Sequence, residues 1–155
     1  MSISERLSDL GIDLPSVVPP VAAYIPAKVH GALVYTAGQL PMVDGALPAT
    51  GKVGEGSGLV SAADAQTLAR QSALNAIAAA AAAVGDVNKL TGVVKVVGFV
   101  ASVPEFTGQP GVINGASELL GEVFGDAGIH ARSAVGVPVL PLDSPVEVEV
   151  IFSLD

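Results

Sequence analysis

Apolar and polar positions alternate along this chain with periods that change from one segment to the next. Near the start Ile3, Leu7 and Leu10 share one helical face, and Ser2 and Glu5 stand three apart as a capping box, which predicts a short surface helix over 2–10. Pro15, Pro19 and Pro20 each lack a donor N–H, so 13–20 reads as an extended connector. Residues 27–29 and 33–37 flank His30 and Gly31 as the arms of a β-hairpin. The Gly-rich stretch 42–59 predicts an irregular loop with one short strand at most, and it contains neither of the glycine spacings that cradle phosphates.

The clearest helix runs from Ser61 to Val84. Ser61 and Asp64 give an N-terminal capping signal, Gly85 is a suitable residue after the last turn, and the interior is mostly alanine, the strongest helix former. Small side chains predict tight packing of this helix on a sheet. Residues 93–103 are almost continuously apolar and β-branched, which predicts a central strand covered on both faces and ended by Pro104. Val112, Ala116, Leu119, Leu120 and Val123 then recur at helical spacing over 109–124, although Gly111, Gly115 and Gly121 weaken that helix. Two last strands, 133–139 and 146–152, are joined by a Pro-rich turn. Strand runs divided by two helices indicate an α+β fold, a mixed β-sheet with two helices packed on one face.

Composition narrows what such a domain does. A chain of 155 residues is one domain by length, and with half its residues hydrophobic and only 14% charged it is expected to bury surface against copies of itself. Its longest uninterrupted apolar run, Ala76 to Val84, is too short to span a bilayer, so no membrane association is expected. Seven Lys and Arg against fifteen Asp and Glu give a net charge of −8, a poor footprint for nucleic acid. No cysteine is present, which excludes disulfides, thiolate nucleophiles and thiolate metal ligands. The first residues carry charge and no apolar core of a signal peptide, so a cytoplasmic location is expected.

Candidate chemistry concentrates near the C-terminus. Beyond Lys95 the only cationic Lys or Arg is Arg132, among eight Asp and Glu. Its guanidinium has two readings: a structural ion pair that fixes the start of a strand, or an anchor for a small carboxylate ligand. Strand alternation places Glu147 and Glu149 on one side of the last strand, where they either face solvent or line a cleft served by a cation such as Arg132 from an adjacent strand or subunit. Asn75, mid-helix, is either a ligand contact or a polar residue capping a strand.

The segment Ala131-Arg132-Ser133, followed fifteen residues after the arginine by Val146-Glu147-Val148, resembles the signature of the Rid family (reactive intermediate deaminase, also called YjgF or L-PSP endoribonuclease). The run Val34-Tyr35-Thr36-Ala37-Gly38-Gln39-Leu40-Pro41 continues the resemblance, with Ala37 where many members have Ser or Thr and His130 where many have Pro. The resemblance implies a single domain over 21–155 after an N-terminal extension over 1–20. It also implies a chorismate-mutase-like trimer whose sheets line the core, with three clefts between subunits. By the same mapping Arg132 and Glu147 are catalytic, while Tyr24, Gly38, Asn114 and Ala134 bind substrate; Asn114 lies one residue out of register with relatives.

The resemblance further implies the reaction. The arginine holds the carboxylate of an enamine or imine such as 2-aminoacrylate, and the glutamate serves the attacking water. The products are a 2-oxo acid and ammonia, and no cofactor or metal takes part. Two alternatives stand beside it: a trimer that binds keto acids in a regulatory role without turning them over, and an endoribonuclease, for which the sequence offers only the isolated His30 and His130.

Overall fold

A computed structural model describes residues 1–17 and 23–155. Pro19, Pro20 and the expected boundary at residue 20 lie outside these residues. Helix α1 (Ile3–Asp9) forms as its capping box predicts: the Ser2 hydroxyl accepts from the Glu5 N–H, and the Glu5 carboxylate accepts from the Ser2 N–H at 2.7 Å. Only Leu7 of this helix is buried, and it joins the main core.

Strands β1 (Ala27–His30) and β2 (Leu33–Thr36) form the predicted hairpin. Helix α2 (Ala62–Val84) begins at the expected Ser61 cap and ends at Gly85. Strand β3 (Leu90–Ala101), helix α3 (Gln109–Phe124), and strands β4 (Ala131–Val137) and β5 (Val146–Leu154) follow. They make one five-stranded sheet in the order β1-β2-β5-β3-β4, parallel only between β3 and β4. The mixed sheet with helices on one face is therefore observed.

The core lies between that face and the two long helices. Val34, Val96, Val100, Val148, Val150 and Phe152 point inward from the sheet and meet the alanines and Ile77 of α2 and Ile113, Leu119 and Leu120 of α3. Fully burying side chains of this size is worth ~1.5–3 kcal/mol each. Gly115, read from sequence as a weak point of α3, is required there. A Cβ at this position would overlap the Gln66 carbonyl of α2, so the glycine lets the two helices cross at backbone contact.

Two sequence expectations change. First, β3 is interior but not the middle strand, and the chain's own helices cover only one of its faces. Val94 on the other face is 43% exposed, and Lys95, Val97 and Phe99 are only partly covered. Second, β4 and β5 are not neighbours, because β3 lies between them. At twelve residues β3 is the longest and most continuously apolar strand, and it pairs with both. The connection over 138–145 is too long for a tight hairpin and reaches across it.

Candidate functional site

The polar residues singled out from the sequence fall into two clusters. The first is built on α3 and β4. Arg132 stands in register with the buried Val96 and so faces the helices. Its Nη1 donates to Asn114 Oδ1 at 2.8 Å and to Ser117 Oγ at 3.2 Å, and its Nη2 donates to the Pro110 carbonyl at 3.2 Å. Asn114 and Ser117 are three residues apart on α3, which puts both on the face that meets Arg132. All three acceptors are neutral.

Among the described residues no carboxylate lies within 4.0 Å of Arg132. Of the eight acids beyond Lys95, Glu122 pairs with Arg70 at 2.8 Å and Asp143 stands 3.9 Å from Lys52. The structural ion pair is therefore not what holds Arg132. Its charge is fixed in direction and left uncompensated, which suits an anionic ligand.

The second cluster lies on the open face of the sheet. Past Tyr35↔Ile151 the ladder between β2 and β5 slips and resumes at Gln39↔Val148, four residues along one chain segment against three on the other. This is the geometry of a bulge. Thr36 Oγ1 accepts the Val150 N–H at 3.0 Å inside it, and Gln39 exchanges backbone bonds of 2.8 and 3.0 Å with Val148. The bulge presses Gly38 against Glu147, where a Cβ on Gly38 would come within 2.6 Å of Glu147 Oε1. Any larger residue would displace the carboxylate. Asn75 braces the loop after β2 by donating to the Leu40 and Met42 carbonyls, at 3.0 and 3.1 Å.

Glu147 is half-buried, beside Phe99 in the strand register, and no described residue donates to its carboxylate. Burial pushes its pKa above the usual glutamate value, and the negative charge of Glu149 two residues along pushes it further. A group that binds its proton more tightly when folded lowers stability as pH rises from the unfolded pKa to the folded one. Glu147→Gln removes that loss. The melting temperature of the variant relative to the parent is thus expected to climb as pH rises through the range just above an ordinary glutamate pKa, then level off. A pH-independent difference would contradict the strained carboxylate.

Tyr24 is 57% exposed and precedes β1 at the end of the sheet where the bulge lies, since the Pro26 carbonyl accepts from the Ala37 N–H. It belongs with Gly38 and Glu147 by position. Ala134 lies on the helix side of β4, in register with Gly98, and packs on the core beside Arg132. The sequence reading missed Ser117 and the Pro110 carbonyl. The i, i+3 spacing from Asn114 was the available signal for Ser117. Among the described residues no three His, Asp or Glu side chains come together as metal ligands would.

One chain does not bring the two clusters together. Arg132 faces the helices and Glu147 faces away from them. Two inter-strand steps and three residues of register place their Cα atoms roughly 14 Å apart on opposite faces of the sheet. The expected service of Glu147 and Glu149 by Arg132 from an adjacent strand of the same chain is excluded by this topology.

Residues 4–154 match the YjgF/chorismate-mutase-like family, whose description also attaches an endoribonuclease name. The chain belongs to this family. TCP17 of Trypanosoma cruzi is 38% identical to it over 154 residues, spanning 99% of this chain and 94% of that protein. Among solved structures, Atu1372 of Agrobacterium tumefaciens, described as of unknown function, is 44% identical with a TM-score of 0.87, covering 99% of this chain and 92% of its own. The YjgF gene product of E. coli is 27% identical with a TM-score of 0.63 over 88% of this chain and 93% of its own. The YjgF match begins at residue 4 and so takes in α1, and no N-terminal extension is evident from it. No described helix is long and apolar enough to cross a membrane.

Proposed function

We propose that the protein is a homotrimeric, cytoplasmic deaminase that hydrolyses 2-aminoacrylate-like enamines and imines to 2-oxo acids and ammonia. The observation that carries this reading is the guanidinium of Arg132, oriented by three neutral acceptors and paired with no carboxylate among the described residues. In this reading Arg132 and Asn114 of one subunit hold the substrate carboxylate, with Ala134 lining the seat. Tyr24, Gly38 and Glu147 of the next subunit face the imine carbon.

Glu147 takes a proton from water, the water oxygen bonds to the imine carbon, and the nitrogen is protonated. The C–N bond then breaks as the hydroxyl proton passes to the nitrogen and the C=O bond forms, releasing ammonia. A carboxylate with a raised pKa is the better base for this step near neutral pH. Such an imine is already electrophilic, so positioning and one general base are sufficient.

The two half-sites lie toward opposite edges of one sheet, on opposite faces, and meet only in a head-to-tail assembly, which closes into a ring when its rotation permits. The open sheet face, with Tyr35, Val97, Phe99, Val135 and Ile151, is the apolar surface available to line the centre of that ring. Against RNA cleavage, His30 and His130 lie on β1 and next to β4, at the two edges of the sheet, about 19 Å apart across five strands.

The deciding experiment is ammonia release from imines generated in place by amino-acid oxidation or by a pyridoxal-phosphate lyase acting on serine. Release faster than the spontaneous rate for at least one small imine is expected. Binding of 2-oxo acids with no acceleration for any imine would favour the regulatory binder.

A further inference from the structure

We propose that Ser117 and His130 are positioning residues that aim the Arg132 guanidinium at its ligand, a role that rests on the carboxylate-anchor reading of Arg132. His130 Nδ1 lies 2.6 Å from the Gly128 carbonyl, and its Nε2 lies 2.9 Å from Ser117 Oγ. A carbonyl oxygen only accepts, so Nδ1 carries the hydrogen and the Nε2 of the neutral ring offers a lone pair. The Ser117 hydroxyl therefore donates to Nε2, and its own lone pairs turn toward Arg132 Nη1 at 3.2 Å. The chain of hydrogen bonds has one direction, from Arg132 through Ser117 to His130, with Gly128 setting the tautomer.

Without Nε2 the serine has an alternative. A hydroxyl within a helix turns back to the carbonyl four residues earlier, here Ile113, and away from the strand. His130 removes that option. It also does so without adding negative charge, which a carboxylate at this position would bring and which would neutralise Arg132.

The donor count shows what the arrangement leaves for a ligand. A guanidinium has five N–H donors. Asn114 and Ser117 take both hydrogens of Nη1, and Pro110 takes one on Nη2. The Nε hydrogen and the second Nη2 hydrogen have no acceptor among the described residues, and two donors of this kind match the two oxygens of a carboxylate. Ser117 and His130 thus favour a bidentate carboxylate over a ligand with a single acceptor. His130 stands where the family resemblance leads one to expect proline, so this device belongs to chains that share the histidine.

The test uses the full-length protein, Ser117→Ala, Ser117→Thr and His130→Phe. Alanine is the better helix former, so Ser117→Ala does not weaken α3. In ligand-free protein, ¹⁵N NMR is expected to resolve the Nη signals of Arg132. Ser117→Ala and His130→Phe should each speed guanidinium rotation several-fold, with Ser117→Thr close to the parent. With pyruvate as probe, calorimetry should show affinity reduced about 5- to 10-fold in Ser117→Ala and His130→Phe, the usual net worth of one hydrogen bond, and restored in Ser117→Thr. Methyl pyruvate, which has no carboxylate, should bind all four proteins alike.

Parental rotation and parental pyruvate affinity in Ser117→Ala would overturn the proposal, as would averaged Nη signals in the parent whatever Arg132 binds. Pyruvate affinity that survives Arg132→Lys overturns the anchor reading, and the ligand-free rotation result separates that failure from a failure of positioning.

Discussion

Glu147→Gln is expected to lower imine hydrolysis by roughly 10²–10⁴-fold, the usual worth of a general base, while 2-oxo-acid affinity stays the same or rises. Glutamine keeps the shape that Gly38 and the bulge enclose, and it removes only the basic oxygen. Affinity has reason to rise, because a negative charge near the bound carboxylate is lost. Glu149→Gln is the control, the same chemical change two residues along on the same face. It is expected to cost little rate at the optimum. Because the Glu149 charge is one of the two causes that raise the Glu147 pKa, its removal should shift the acidic limb of the pH–rate profile to lower pH. Equal and small losses in the two variants would remove Glu147 from the catalytic role. Intact binding by an inactive parent would point to the regulatory trimer.

Much of the fold was legible because local signals agreed with the final packing. Ser61 with Asp64, the alanine run and Gly85 all mark one helix, and α2 has those bounds. Gly115 failed as a local signal because its reason lies in another helix, at the Gln66 carbonyl. The candidate site was legible as residue types and not as geometry. Strand alternation fixes which residues of one strand share a face, but the relation of Arg132 to Glu147 depends on β3 being inserted between their strands, and no periodicity encodes that. His130 read as a departure from the family pattern at the approach to β4. Only the folded chain brings its ring onto Ser117.

Mixing two inactive variants is expected to restore activity. Arg132→Lys keeps the charge but replaces the planar fork with a point-like ammonium, so it should lose most turnover and bind 2-oxo acids weakly. Glu147→Gln is inactive for the separate reason given above. If each cleft takes its arginine from one subunit and its glutamate from the next, a ring containing both variants has clefts in which a Glu147→Gln chain supplies the intact arginine and an Arg132→Lys chain the intact glutamate. Unfolding and refolding an equal mixture distributes the chains at random, and about a quarter of the clefts then receive both intact residues. Roughly that share of parental activity should return, whereas each variant refolded alone stays inactive. The opposite faces and the intervening β3 make this a sharp test, since a site completed within one chain cannot be repaired by a second copy. Failure of mixed rings to recover activity, with light scattering confirming that they had formed, would mean that Arg132 and Glu147 do not serve one cleft. A parent that scatters as a stable monomer at micromolar concentration would reach the same conclusion by a shorter route, because the two half-sites would then never meet.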